Sequence, residues 1–275
     1  MEQITSFKNP KVKNLLLLQE KSSARREQGL FVVEGRRELE HCISAGYKVR
    51  TVFWCKEIAG TAAGNDVIGA VGGDVLCVEV PAALYRKIAY REGTEGIIAE
   101  VEARQTGLED LVLPENPLIV VLEAVEKPGN LGAVLRSADA AGASAVIVCD
   151  PLTDLYNPNL IRASIGAVFT VPVVAASSEE TIGFLKERGI QILTAQLQDS
   201  SLYYDVDMLR GTAIVMGTES TGLTDAWRQA ADAHIRIPML GRLDSLNVSV
   251  SAAILLFEAV RQREGVAPTD YNTIL

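Results

Sequence analysis

The stretch Leu118-Ile-Val-Val-Leu-Glu-Ala-Val-Glu-Lys-Pro-Gly-Asn-Leu-Gly-Ala-Val-Leu-Arg136 decides the fold class. Residues 118–122 form an unbroken apolar run, the pattern of a strand buried on both faces. Pro128 and Gly129 turn the chain, and a helical pattern follows over 130–141. Further on, strand signals recur at 145–149, 191–194, 213–216 and 234–237. Helical signals recur at 158–165, 179–188, 225–229 and 248–264. This alternation predicts an α/β domain with a mainly parallel sheet covered by helices on both sides.

Toward the N-terminus the pattern changes. Gly107, Pro114, Asn116 and Pro117 break any periodicity over 104–117, which reads as a linker. Residues 1–103 carry shorter signals: helices at 11–28, 36–45 and 81–89, strands at 31–33, 49–54, 75–80 and 96–101, and a glycine-rich loop or weak helix over 60–73. The 275-residue chain therefore divides into a small α/β domain (1–103), a linker (104–117) and a larger α/β domain (118–275).

Composition narrows the function classes. Apolar residues at 48% and charged residues at 22% describe a globular chain with a sizeable core. The N-terminus is polar, and no apolar run reaches the roughly 18 residues of a membrane span, so a cytoplasmic protein is expected. Cys42, Cys55, Cys77 and Cys149 lie far apart, and the histidines are His41 and His234 alone, so no metal site is expected. The net charge of −9 disfavours polyanion binding by the whole surface. Residues 1–50, however, hold ten Lys/Arg against six acidic residues. That local excess suits either phosphate contact or plain solvated helix faces.

Three glycine-punctuated loops follow predicted strands, where open parallel sheets bind ligands. In the first, Asn130 is placed to cap the helix and Gly132 permits close backbone approach. A plain βα turn with a solvated Arg136 fits equally well. A dinucleotide fingerprint is the other option, but Gly129-Asn-Leu-Gly132 lacks the glycine triple. The second loop, Gly217-Thr-Glu-Ser-Thr-Gly222, offers backbone groups to a small polar ligand, and Glu219 reads either as a buried organiser or as a surface turn residue. The third runs from Ile237-Pro-Met239 through Gly241 to Ser245-Leu-Asn-Val-Ser249, with Ser245 or Asn247 as helix cap. The helix that follows has no polar face at first, so it belongs in a core or at a subunit seam.

Taken in order, these loops resemble the three signature motifs of the SpoU (TrmH-type) RNA ribose methyltransferases of the SPOUT superfamily. The residues that carry the resemblance are Pro128, Asn130, Gly132, Ala133 and Arg136; Gly217, Glu219, Gly222 and Leu223; and Ile237–Met239, Gly241 and 245–249. Residues 5–13 and 31–36 are similar to the substrate-binding extension of the ribosomal-RNA branch. The resemblance implies a deep trefoil knot in the second domain and an obligate homodimer with the helix after Asn247 near its seam. It implies S-adenosylmethionine bound at Gly217, Ile237 and Leu246, with Thr194, Ala195 and Met239 lining the pocket. Asn130, Arg136, Glu219 and Asn247 become the catalytic set. Lys8, Lys11, Lys13, Arg25, Arg26 and Arg36 become the RNA contacts.

A ribose 2′-hydroxyl is a poor nucleophile, so the protein must align it and help remove a proton. Arginine, with a pKa above about 12, is a poor literal base. Arg136 is instead expected to orient the neighbouring phosphate and stabilise developing alkoxide charge, while Asn130 and Asn247 position the ribose and Glu219 organises the site. Two rival readings are an RNA-binding module of the same fold without chemistry and a nicotinamide-dependent oxidoreductase. The intact Asn130, Arg136, Glu219 and Asn247 count against the first, and the missing glycine triple against the second. A base-methylating relative is disfavoured by the Ser245–Ser249 motif.

Overall fold

The computed structural model describes residues 2–60, 69, 71–72, 75–90, 95–218, 221–243 and 245–264. Most of the 60–73 stretch and Glu219 lie outside the described residues. The described chain forms two compact units. One comprises residues up to Gln105 together with Thr153–Thr170, and the other comprises Thr106–Leu152 and the residues from Val171 onward.

The first unit is built on five strands: β1 (Glu2–Gln3), β2 (Leu30–Glu34), β3 (Val49–Trp54), β4 (Leu76–Glu79) and β5 (Ile97–Glu102). Their order is β1-β4-β3-β5-β2, parallel from β1 to β3 and antiparallel at β3–β5 and β5–β2. Val12, Leu15 and Leu18 of the helix Pro10–Glu20 pack into one core with Phe53, Val78 and Ile98.

The single helix expected over 11–28 is two, Pro10–Glu20 and Ser22–Gln28, broken at the extended residue Lys21. The last turn of a helix leaves carbonyls without intrahelical partners. Here Arg25 folds back to satisfy them, Nη1 donating to Leu18 O at 2.6 Å and Gln19 O at 3.2 Å, while Nε donates to Asp154 at 2.6 Å. Arg25 is 4% exposed. Its expected role as an RNA contact is corrected: the guanidinium is consumed inside the fold.

Residues 153–170 pack with this unit although the sequence pattern runs them on from the second domain. Tyr156 stacks on Phe31 with ring centroids 4.2 Å apart, and its hydroxyl donates to Arg104 O and accepts from Arg104 N. Asn159 Nδ2 donates to Tyr90 Oη at 2.8 Å. Such partners are remote in sequence, which is why local periodicity could not assign the segment.

The second unit has seven strands: β6 (Leu118–Glu123), β7 (Ala145–Cys149), β8 (Val173–Ala176), β9 (Gln191–Ala195), β10 (Ser201–Leu202), β11 (Thr212–Met216) and β12 (Ala233–Arg236). All neighbouring pairs are parallel, in the order β10-β12-β9-β11-β6-β7-β8. Every residue of β6, β7 and β11 is buried, as their apolar runs require. Each buried Val, Leu or Ile contributes about 1.5–3 kcal/mol of transfer free energy. Leu108, Leu111 and Leu113, inside the expected linker, pack against this core.

The helix after β6 is Pro128–Ala140, with Lys127 at the N-cap and Pro128 in the first helical position. Proline suits that position because its missing N–H would be unpaired there anyway. Asn130 is therefore within the first turn and not the cap, and its N–H donates to Lys127 O. The final helix, Val248–Glu264, packs against this one.

Candidate functional site

In the order β12-β9-β11-β6 the C-terminal ends of four parallel strands stand side by side, and the loops leaving three of them shape one cavity of about 660 Å³. That volume lies within the roughly 300–1,000 Å³ of small-molecule sites.

The loop after β11 is pinched shut. An ideal Cβ on Gly217 would sit 2.3 Å from the carbonyl carbon and oxygen of Gly222, so only glycine fits. Gly222 takes φ of +68° and donates its N–H to Thr218 O at 3.1 Å, and Thr218 Oγ1 lies 2.7 Å from Thr221 Oγ1. The pinch presents backbone at the cavity wall.

Glu123, at the end of β6, pins the far side of this loop. The carboxylate is 4% exposed and accepts from Thr224 N at 2.9 Å and Thr224 Oγ1 at 2.7 Å, one bond to each oxygen. Next to it, Ser178 Oγ donates to Asp150 at 2.6 Å and accepts from Trp227 Nε1 at 3.0 Å. Sequence reading did not single out Glu123. Its signal was there: a lone acid closing an otherwise apolar buried strand.

The loop after β12 ends at Asn247, which, of the two cap candidates Ser245 and Asn247, is the one that caps the last helix. Its Oδ1 accepts from Ser249 N at 2.9 Å and from Ser249 Oγ at 2.6 Å. Its Nδ2 donates to Asn130 Oδ1 at 3.2 Å, so the first and third loops meet at an amide–amide bond. Arg136 lies farther along the same helix as Asn130, exposed, with no hydrogen bond or ion pair among the described residues.

Of the residues expected to hold the cofactor, Gly217, Ile237, Leu246, Ala195 and Met239 line the cavity. Thr194 does not. It is wholly buried, with its hydroxyl 2.6 Å from His234 Nδ1. Glu219 lies outside the described residues.

Two features of the cavity bear on the ligand it could take. Among the described residues its charged lining is Arg228 and Arg236, with no acid. Gln196 Oε1 is buried at the wall with no hydrogen-bond partner among the described residues. A dry carbonyl costs about 1–3 kcal/mol, so an acceptor kept this way suits a ligand that donates to it. The backbone cradle at Gly217 and this orphan acceptor together fit a polar, nucleoside-sized ligand.

Burial pushes the Cys149 and Cys42 thiols up to about 12, so neither is a nucleophile at neutral pH. Among the described residues no group of three or more His, Cys, Asp or Glu is arranged to hold a metal ion, and no helix is long and apolar enough to cross a membrane.

On the first unit, Lys8, Lys13 and Arg26 are exposed. Lys11 pairs with Glu2, and Arg36 pairs with Glu40 at 2.6 Å on the surface. Exposed pairs of this kind are worth little.

Both parts of the chain are similar to known proteins. Residues 117–257 match the model of the SpoU rRNA Methylase family, and residues 9–99 match the MRM3-like substrate binding domain. The 23S rRNA (uridine(2479)-2′-O)-methyltransferase of Streptomyces viridochromogenes is 31% identical over 87% of this chain and 85% of its own. The 23S rRNA (guanosine-2′-O-)-methyltransferase RlmB of Bordetella pertussis is 38% identical over 67% of this chain and 78% of its own. The crystal structure of an AdoMet-bound rRNA methyltransferase from Sinorhizobium meliloti superposes with a TM-score of 0.86. It is 32% identical, covering 94% of this chain and 97% of that one.

Proposed function

Since this chain belongs to the SpoU rRNA methylase family and is an S-adenosylmethionine-dependent RNA methyltransferase, we propose that its acceptor is a ribose 2′-hydroxyl of 23S ribosomal RNA. The observation that carries this reading is the Asn247–Asn130 bond. It joins the wall of the backbone-lined cavity to the helix that bears Arg136, which has no partner among the described residues.

S-adenosylmethionine supplies an already activated methyl group when bound; the chain's own residues do the rest. Gly217, Ile237 and Leu246 hold the donor, with Ala195 and Met239 beside them. Thr194, one residue short of the cavity, supports Ala195 through its bond to His234. Asn130 and Asn247 position the acceptor ribose. Arg136, free to approach the RNA, draws in the neighbouring phosphate and stabilises charge developing on the 2′-oxygen as its proton leaves. Glu219 organises the loop it stands in. The reaction so written needs no metal ion.

RNA is gripped by residues 1–103 through Lys8, Lys11, Lys13, Arg26 and Arg36, while 118–275 carries the chemistry and 104–117 joins them. The resemblance to SpoU enzymes supports a trefoil knot in the second unit, a homodimer and a cytoplasmic location. Val250 and Phe257, seven residues apart on the last helix and each nearly half exposed, are the apolar surface offered to the dimer seam.

The test is methyl transfer from labelled S-adenosylmethionine to purified ribosomal RNA, followed by alkaline hydrolysis. A 2′-O-methyl group blocks cleavage at its own phosphodiester, so the label is expected in an uncleaved dinucleotide. Label recovered in single nucleotides would mean base methylation and would overturn the reading. The bound donor with no transfer to any RNA would favour the non-catalytic module.

A further inference from the structure

Donor binding through backbone leaves open what the cavity does with the charged amino-acid end of the donor. That question rests on the function proposed above. Two side chains at neighbouring strand ends bear on it. Thr194 of β9 and His234 of β12 are paired in register and share a face, since their side chains touch at 2.6 Å. Side chains along a strand repeat with a period of two. The ladder continues past β9 through Gln196 N donating to Ile235 O, so Gln196 and Arg236 lie on that same face one step farther out. Both line the cavity.

Each is set up for a ligand. Gln196 Nε2 donates to Gln198 O at 2.9 Å, which fixes the amide so that Oε1 is the orphan acceptor. Arg236 has no ion pair among the described residues; its Nη1 reaches Ser200 Oγ at 3.4 Å, a weak hold that also aims the side chain. Arg228, the other cation on the wall, is already beside Asp225 at 3.5 Å. A fixed carbonyl next to an uncommitted guanidinium is complementary to a group that presents an ammonium beside a carboxylate. Adenine and ribose carry no anion to suit an arginine.

We propose that Gln196 and Arg236 form a subsite for an α-amino-acid zwitterion, the methionine end of the donor. Arg236 takes the carboxylate, and Gln196 Oε1 accepts from the ammonium. The pair thereby makes the cavity select donors and products that keep the amino-acid tail.

The experiment measures binding by calorimetry, without RNA, for S-adenosylhomocysteine and for 5′-methylthioadenosine, which shares the adenosine and thioether but lacks the tail. Wild type is expected to prefer the tailed ligand. Arg236→Met is expected to cut affinity for S-adenosylhomocysteine by about tenfold to a hundredfold and leave methylthioadenosine nearly unchanged. Gln196→Met should lower the same ratio by a smaller factor, and Arg236→Lys, which keeps the charge, should restore part of it. Retained methylthioadenosine binding reports an intact fold. A wild type that binds both ligands equally, or variants that lose both equally or keep the wild-type ratio, would overturn the subsite while leaving the proposed function standing. A wild type that binds neither would instead count against the proposed function.

Discussion

The ends of β6 and β9 stand two strands apart in one sheet, and their polar residues are wired in opposite ways. At the end of β6 both oxygens of Glu123 are satisfied by Thr224, and nearby Ser178 both donates and accepts. At the end of β9 the buried Gln196 Oε1 is satisfied by nothing among the described residues. A saturated network holds a loop in place; an acceptor and a cation without such partners among the described residues are available to a ligand. Arginines show the same contrast. Arg25 directs its donors to Leu18, Gln19 and Asp154, whereas Arg136 is exposed and has no partner among the described residues.

Removing an uncommitted group should therefore cost chemistry and spare the fold. Arg136→Ala is expected to lower single-turnover methyl transfer by about a hundredfold to a thousandfold, the range for deleting one charge-stabilising donor. Its melting temperature and its affinity for S-adenosylhomocysteine should match wild type. A variant that still transfers methyl groups at near wild-type rate would remove Arg136 from the reaction.

Removing a committed group should do the reverse. Glu123→Ala leaves Thr224 N and Oγ1 without their acceptor in a buried place, a cost of about 3 kcal/mol. Thermal melting should fall by roughly 6–12 °C. The loss in donor affinity should follow from the unpinned loop, so low temperature is expected to restore binding in part. An unchanged melting curve would mean the carboxylate does not hold the loop.

This distinction between spent and unspent groups also marks what the sequence could tell. The apolar run at Leu118, the glycines at 217 and 222 and the cap at Asn247 are local features, legible because backbone geometry restricts which residues fit. The α/β class follows from them. The burial of Arg25 was not legible, because its partner Asp154 is 129 residues away. The cap of the first-loop helix was misread because Pro128 and Asn130 are both good N-terminal residues, and only the observed start favours proline. Strands β8 and β10 are short and lean on their neighbours for register. Gln196 could not be found at all, since an unsatisfied atom is defined by what surrounds it.

A third carboxylate sharpens the comparison with the smallest expected effect. Glu100 lies on β5 in the first unit's sheet, paired in register with Val32 and Thr51 and only 6% exposed. Burial raises its pKa above 4.5, and the bonds from Thr51 and Asn14 and the charge of Lys11 do not fully offset this. Unlike Glu123 it receives no backbone donor among the described residues; its Oε1 accepts from Asn14 Nδ2 at a long 3.4 Å. The sign follows from linkage. A carboxyl whose folded pKa lies above its unfolded value favours the fold most when protonated, so that stability is full below the unfolded pKa and is lost as pH rises through the folded one. Glu100→Gln keeps the shape and removes the charge. It should therefore melt on the order of 2 °C higher than wild type at neutral pH, the gain shrinking as pH drops toward 4.5. Melting curves taken from pH 4 to about 8 would show the two proteins converging at the acid end. If the substitution instead lowered stability at neutral pH, Glu100 would have to be counted with Glu123 among the groups whose charge the fold uses.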